Sequence, residues 1–389
     1  VPRAVRLIRP LERSIFSGHP WIYRDALAPF EASPGEFVDV FDKRGRLLAK
    51  GYVDGASIAV RVLTTRPKDQ LAPAFFEQRI RTAFAVRAQA LPADTDAYRL
   101  LHGEGDRVPG VVCDRYGAYA VVKLDGEGAQ ALRPLFAQAL EAPLRELGVV
   151  GAVLRSSRRQ NAEAELLFGE APARELLVRE RGMQLLVNLW EGQKTGLFLD
   201  HRESRARVRG LARGLRVLNL YGYTGGFSVA AGLGGASAVT TVDLAKPAID
   251  LALRTYLANP LDGACHQAFA EDVPAFLKRA LEAGESYGLV VADPPNFAPN
   301  QAALSAALES YAALHAACLG LVEPDGLYLA ASCSSHVRAS DFLDTLREGS
   351  RRAKRVVSIL EQNGAPFDHP RLLAFPEGDY LKVMLCRAH

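Results

Sequence analysis

Two short runs put reactive side chains at the ends of apolar, strand-like segments. GLVV leads into ADPPNF (Ala292 to Phe297), and forty residues past Asp293 the run LYLAASCSS ends at Ser332-Cys333-Ser334-Ser335. Consecutive prolines can neither continue a central ladder nor enter a helix interior, so Pro294 and Pro295 force a rigid extended corner. Asp293 is thereby held at the strand's carboxyl edge, where a planar base can lie against the stiff segment. Asn296 offers a donor and an acceptor there, and Phe297 an aromatic surface. Cys333 stands at a second carboxyl edge, and a thiolate so placed can add to an electron-poor carbon. Nearby His336 reads as a base, a phosphate contact or an ordinary exposed loop histidine. Cys113, Cys265, Cys318 and Cys386 lie in apolar segments or lack an acid-base neighbour, and read as inert filler.

A second group of residues suits a ligand rather than a reaction. VLNLYGYTGGFSVAAGLGGA reads as a strand turning into a helix. Gly222, Gly225 and Gly226 suit a sharp turn whose backbone approaches a ligand, with helix N–H groups aimed at the same place. The spacing is not G-x-G-x-x-G, so the dinucleotide fingerprint is not met. AVTTVD ends in Asp243, 21 residues beyond Gly222. That distance suits an acceptor for two ribose hydroxyls, and the position equally suits a cap on the KPAIDLALR helix. Turn and carboxylate together favour a nucleoside-bearing ligand. In AFAEDVPAFLKRAL, Asp272 either receives an adenine amine or caps the helix opened by Val273-Pro274. LWEGQKTGLFLDHRESR crowds Asp200, Arg202, Glu203 and Arg205 together. It reads as a charged helix start, or as a segment laying Phe198 and a backbone edge against the ligand.

Strand ends converge only if the strands lie side by side and parallel. From residue 173 onward RVLNL, AVTTVDL, YGLVVADPP and GLYLAASC alternate with helical segments, and VVSILEQN and DYLKVMLCRA add two more strands. That alternation predicts an α/β, doubly wound sheet over 173–389, with ligands at the carboxyl ends. Residues 1–67 hold short strands: GEFVDVFDKRGRLLAKGYVD turns at Asp42 to Gly45, and SIAVRVLTT follows, predicting a small β-barrel. Residues 68–172 read as a central α+β domain. Leu71 to Leu91 has apolar residues at helical spacing, VPGVVCDRYGAYAVVKL forms a hairpin, GAQALRPLFAQALEAPLREL is a helix with one proline interruption, and GAVLRSS, ELLFG, ELLVRER and MQLLVNL are further strands.

Composition narrows the class. Of 389 residues 49% are hydrophobic and 23% charged, ordinary for a globular protein with a core. Net charge is only +3, but eleven Lys/Arg against seven Asp/Glu lie between Val1 and Arg66, a weak pointer to a phosphate partner. Five scattered cysteines without a C-x-x-C pair argue against disulfides or structural zinc, and for a reducing compartment. No secretory signal and no apolar run of membrane-spanning length is apparent. A chain beginning at Val1 without methionine reads as processed or trimmed, and the expected location is the cytoplasm.

In the order GQKTGLFLDHR, LNLYGYTGGFS, TTVD, ADPPNF and SCSS, the chain resembles the class I S-adenosylmethionine-dependent methyltransferases of large-subunit ribosomal RNA, of the RNA (cytosine-5) type. GEGDRVPGVVCDRYG is similar to that family's middle-domain signature, and SGHPWIYRDAL to the start of its N-terminal PUA domain, an RNA-binding β-barrel. The resemblance implies a Rossmann-like methyltransferase sheet with S-adenosyl-L-methionine as cofactor and ribosomal RNA as partner, no membrane partner, no metal, and a homodimer as a candidate assembly. It implies cofactor contacts from Phe198, Asp200, Arg202, Tyr221, Gly222, Tyr223, Thr224, Gly225, Gly226, Asp243, Asp272 and Asp293. The glycines line the methionine end, Asp243 takes the ribose and Asp272 sits by the adenine. Asp293 also holds the target cytosine, Cys333 is the nucleophile, and Pro294, Pro295, Asn296, Phe297, Trp21 and Arg24 meet the substrate. Two departures stand out: no cysteine follows the prolines of ADPPNF, and Asn296 stands where relatives carry lysine or a small residue. Methylation of a guanine or adenine nitrogen without covalent catalysis, or RNA binding without catalysis, are the competing readings; a nicotinamide dehydrogenase is more remote.

Overall fold

The computed structural model describes residues 2–55, 57–156 and 164–389. Ser157, the last residue of the run GAVLRSS, lies outside the described residues. The chain divides into two compact units. One holds residues 1–178, 188–199 and 367–378; the other holds 179–187, 200–366 and 379–389.

In the first unit, five short strands form a mixed sheet in the order Arg3–Arg6, Phe37–Phe41, Leu47–Val53, Ile58–Thr64, Trp21–Tyr23. Alternation places Val38 and Val40, both fully buried, on one face with Val5, Ile22 and Val60. A second five-stranded sheet runs Glu165–Gly169, Gly151–Ser156, Tyr119–Leu124, Val111–Tyr116, Ala97–His102. The helix Pro73–Ala90 packs Phe76 and Ile80 against it, with Phe136 and Leu140 of the helix Arg133–Glu146 beside them. The single helix expected over 128–147 is two, Glu127–Ala131 and Arg133–Glu146. Pro134 opens the second, where its missing N–H is harmless, while Pro143 stays inside it. ELLVRER and MQLLVNL join no large sheet; Leu176–Glu180 and Met183–Val187 make a two-stranded sheet of their own, residues 179–187 of which belong to the second unit.

In the second unit, strands β1 (Arg216–Leu220), β2 (Ala238–Asp243), β3 (His266–Ala270), β4 (Tyr287–Ala292), β5 (Val322–Ser332), β6 (Val357–Asn363) and β7 (Lys382–Ala388) form one sheet in the order β3-β2-β1-β4-β5-β7-β6. The first five are parallel; β7 runs antiparallel to both β5 and β6. Order reverses between β1 and β4, so a crevice opens at their carboxyl ends. Helices α1 (Arg202–Leu211), α2 (Gly226–Leu233), α3 (Lys246–Leu257), α4 (Val273–Glu282), α5 (Leu304–Leu321) and α6 (Ala339–Ala353) complete the unit. In α4 the buried residues Val273, Phe276, Leu277 and Ala280 recur at helical spacing. Gly349 lets α6 approach α5, because a Cβ there would stand 2.5 Å from His315 Cβ.

One expectation is corrected. Gln301–Leu321 is long and apolar enough to cross a membrane by length and composition alone, with mean hydropathy 1.2. Its alanine and leucine content has another use here: Tyr311, Leu314, Cys318 and Leu319 sink into the core of the sheet.

Candidate active site at the strand ends

The β1 end sets the first wall. Tyr221 and Tyr223 take positive φ values of 56° and 44°, and Gly225 one of 79° before α2 begins. Gly222 is not strained, but a Cβ on it would stand 2.5 Å from Thr241 Cγ2; one on Gly225 would stand 2.9 Å from Ala252 Cβ, and one on Gly226 3.0 Å from Arg205 Cδ. The glycines are thus required by close packing inside the unit, not by approach to a ligand alone. Thr224 is buried beside them.

Asp243 ties this turn to β2. Its Oδ2 accepts from Tyr223 N at 2.9 Å and its Oδ1 from Ala245 N at 2.9 Å. The cap position of α3 belongs to Ala245, so the capping alternative for Asp243 falls away. Below the turn, Asn219 Nδ2 donates to Ser228 Oγ at 2.9 Å, Ser228 Oγ and Thr241 Oγ1 are 2.6 Å apart, and Thr241 Oγ1 meets His266 Nε2 at 2.7 Å. If every hydroxyl in this chain donates onward, His266 Nε2 is the terminal acceptor and the imidazole is neutral. Burial agrees, lowering its pKa to about 4.

Asp272 does occupy the cap position of α4, yet its side chain makes no capping hydrogen bond. The exposed carboxylate therefore retains its acceptor capacity. Tyr221 faces it: burial first, then Cys318, Asp272 and Tyr311, push the phenol's pKa up.

Asp293, largely buried with 17% of its side chain exposed, follows the last residue of β4. His201 Nε2 lies 3.1 Å from its Oδ2. This histidine was not singled out from the sequence, where the only pointer is its place between Asp200 and Arg202. Asp200 is buried and its Oδ2 accepts from Tyr380 Oη at 2.9 Å. Arg202, fully buried, donates from Nε to Glu203 Oε1 at 3.1 Å.

ADPPNF and SCSS are fastened to one another. Asn296 Oδ1 accepts from Ala298 N at 3.0 Å and from Ser334 Oγ at 2.6 Å. The backbone N–H identifies that atom as the oxygen, so Asn296 is left with its amide donors. Tyr311 of α5 lies beneath, its hydroxyl 2.9 Å from Ser332 Oγ and 3.2 Å from Ser334 Oγ. Burial raises its pKa first, and the charges of Cys333 and Asp293 both add to that rise, so one phenol senses both groups. Cys333 itself is partly exposed, while Cys113, Cys318 and Cys386 are buried. Burial pushes their thiols up, Cys318 and Cys386 to about 12. Cys265 is partly exposed in the Gly263–Cys265 turn. Pro294 is buried, Pro295 exposed, and Phe297 packs on Tyr311 with ring centroids 4.9 Å apart. His336 is exposed.

The remaining expected contacts belong to the first unit. Trp21 Nε1 donates to Glu104 Oε1 at 2.9 Å, and its ring meets Phe375 edge-on at 4.6 Å. Arg24 is exposed, with its guanidinium 4.7 Å from the Phe30 ring. Phe198 carries Lys194 Nζ over its ring at 4.3 Å.

Residues 99–383 match the family model of S-adenosylmethionine-dependent methyltransferases, and residues 5–65 match that of a PUA-like domain. The Ribosomal RNA large subunit methyltransferase I of Cronobacter sakazakii (strain ATCC BAA-894) is 35% identical over 393 residues, covering 98% of this chain and 99% of that protein. The protein of the same name from Escherichia coli O139:H28 is 35% identical over 99% of each. Among solved structures, a Streptococcus mutans chain assigned to the SAM-dependent methyltransferases aligns with a TM-score of 0.88 at 26% identity, over 99% of this chain and all of that one. SMU.776, solved in complex with SAH, aligns over all of both chains with a TM-score of 0.88 at 27% identity.

Proposed function

We propose, from the premise that this chain belongs to the S-adenosylmethionine-dependent methyltransferases and carries a PUA-like domain, that it methylates C5 of a cytosine in large-subunit ribosomal RNA through a covalent Cys333 adduct. S-adenosyl-L-methionine is the cofactor, and the residues present fit it. Asp243 and the uncapped Asp272 offer acceptors at consecutive strand ends, suited to a ribose diol and an adenine amine, and the start of α2 offers backbone donors. When bound, the cofactor supplies a methyl group from its sulfonium and keeps the bonding pair as a neutral thioether.

The chain's own residues supply the rest. Ring carbon C5 of cytosine is too weak a nucleophile while the ring is aromatic. The Cys333 thiolate forms a bond to C6, and the displaced electron pair makes C5 enamine-like and charges N3. Asp293, oriented by His201, stabilises that charge in its protonated form, its carboxyl O–H donating to N3. After C5 has gained its methyl group, water in the site takes the C5 proton, and the C–H electron pair restores the C5–C6 double bond and expels the Cys333 thiolate. The donors left on Asn296 suit an acceptor on the pyrimidine. The target must lie outside any stack, so a single-stranded or flipped nucleotide is the substrate.

The observation that carries this reading is the Ser334–Asn296 hydrogen bond. It holds the cysteine loop and the Asp293 corner together above Tyr311, whose hydroxyl reaches Ser332 and Ser334. The test is methyl transfer from labelled cofactor to large-subunit RNA, followed by mass mapping of the modified nucleotide. Wild-type protein should add one methyl to a cytosine, and Cys333→Ala should add none while binding cofactor normally. Full activity in that variant favours a nitrogen-directed methyltransferase; no transfer by the wild type to any ribosomal RNA favours RNA binding alone.

A further inference from the structure

Lys382 is the first residue of β7 and stands directly across from Ser332, the last residue of β5. Only 4% of it is exposed. Its Nζ donates to the Ser334 carbonyl at 2.5 Å and to the Tyr380 carbonyl at 2.8 Å. The first of these bonds grips the cysteine loop, since the Ser334 carbonyl is one residue past Cys333; the second ties the ammonium to its own segment. Among the described residues Lys382 forms no salt bridge with a carboxylate. An ammonium buried on two neutral carbonyls is costly unless its charge has a partner, and a tether alone needs no charge.

Three groups face it with a negative form: Cys333 from the end of β5, Asp341 from α6, and Asp379 from the approach to β7. Tyr311, from α5, touches the same loop through Ser332 and Ser334. Burial dominates and lowers the Lys382 pKa to about 8, while Cys333 leads the charges that oppose the fall.

We propose that Lys382 is a positioning residue whose ammonium holds Cys333 as a thiolate, fixing the pH range in which that sulfur is nucleophilic. The proposal rests on reading Cys333 as the attacking group, and it adds the residue that activates it. As the thiol ionises, its proton passes to solvent or to neutral Lys382; the resulting thiolate and ammonium are the pair that persists until the sulfur attacks. When the adduct breaks down, the returning thiolate meets the same ammonium.

The experiment measures the pH dependence of Cys333 alkylation by iodoacetamide in the full chain without RNA, reading the Cys333 peptide by mass spectrometry. In the wild type the midpoint should fall below the ordinary thiol value of about 8.5. Lys382→Met should raise it by about one unit and slow alkylation at pH 7 roughly tenfold, and Lys382→Arg should keep it near the wild-type position. Methyl transfer by Lys382→Met should recover as pH rises. A wild-type midpoint at or above the ordinary thiol value overturns the proposal, even if the variants fail to fold. So does an unmoved midpoint in a folded Lys382→Met protein whose methyl transfer is lost at every pH, because Lys382 is then a tether only. A shifted midpoint together with full methyl transfer by Cys333→Ala upholds the pairing and removes the covalent reading instead.

Discussion

His201 Nε2 and Asp293 Oδ2 stand 3.1 Å apart, joining the segment before α1 to the end of β4. His201 is 2% exposed, and its Nδ1 has no hydrogen-bond partner among the described residues. A neutral imidazole protonated on Nε2 satisfies both facts, because a second proton on Nδ1 would be buried without an acceptor. The Phe227 ring, edge-on at 5.5 Å, helps fix the imidazole's plane. The Asp293 carboxylate at the end of β4 is therefore held in one orientation by a buried histidine.

Replacing that histidine should misdirect Asp293 without removing it. His201→Ala is expected to lower kcat by about 10- to 100-fold, since small misplacements of a reacting group cost that much. Cofactor Kd should barely change, and His201→Gln, which keeps a donor, should recover part of the loss. Combining His201→Ala with Asp293→Asn should cost little more than Asp293→Asn alone. Independent, multiplying losses in steady-state kinetics would contradict the coupling.

Asp243 fastens two backbone amides before any ligand arrives. Asp243→Ala frees both and also removes the ribose acceptor. At about 1.5–3 kcal/mol for a hydrogen bond to a charged group, cofactor affinity should fall by roughly 10- to 100-fold. Titration calorimetry with the demethylated cofactor product reads this directly. Affinity within a factor of about two of wild type would remove Asp243 from the cofactor site.

Two glycines separate stability from function. Gly225→Ala puts a Cβ 2.9 Å from Ala252 Cβ at a φ of +79°, and Gly349→Ala puts one 2.5 Å from His315 Cβ. Each should cost about 1–3 kcal/mol in chemical denaturation. Only Gly225→Ala should also weaken cofactor binding, because only it deforms the turn between β1 and α2.

Acid should destabilise the fold partly through His266. Burial lowers its pKa to about 4, below the unfolded value, so between about pH 6.5 and 4 the unfolded chain binds a proton that the folded chain does not. Stability fully present above pH 6.5 is then lost as pH falls, at up to about 1.4 kcal/mol per pH unit for this proton. His315, lowered to about 3 by burial, extends the loss to lower pH. Urea midpoints measured at several pH values should fall less steeply in His266→Gln; parallel profiles would show that His266 does not titrate this way.

Six of the sheet's seven strands were legible in the sequence as strand-like runs between helices with clear periodicity, as in α4, whereas the short, partly polar edge strand β3 was not. Asp293 and Cys333 stood out for a local reason: prolines and serines mark where strands stop. His201, Lys382 and the Asn296–Ser334 bond were not legible, since each depends on a partner far along the chain. The lysine reads in sequence as one more charge in DYLKVMLCRA, and only the antiparallel pairing of β7 beside β5 brings it to the cysteine loop. Trp21 misleads in the opposite direction. An aromatic residue beside Arg24 suggests a stacking surface, yet its indole N–H and ring are engaged by Glu104 and Phe375.

The most direct measurement uses large-subunit RNA carrying 5-fluorocytidine, incubated with the protein and S-adenosyl-L-methionine. Fluorine at C5 cannot leave as a proton does, so after methyl transfer the bond from sulfur to C6 cannot be released. A denaturation-resistant protein–RNA species whose linkage maps to Cys333, absent in Cys333→Ala, is the predicted result. Methylation proceeding in Cys333→Ala, or a linkage at any other residue, would contradict the account.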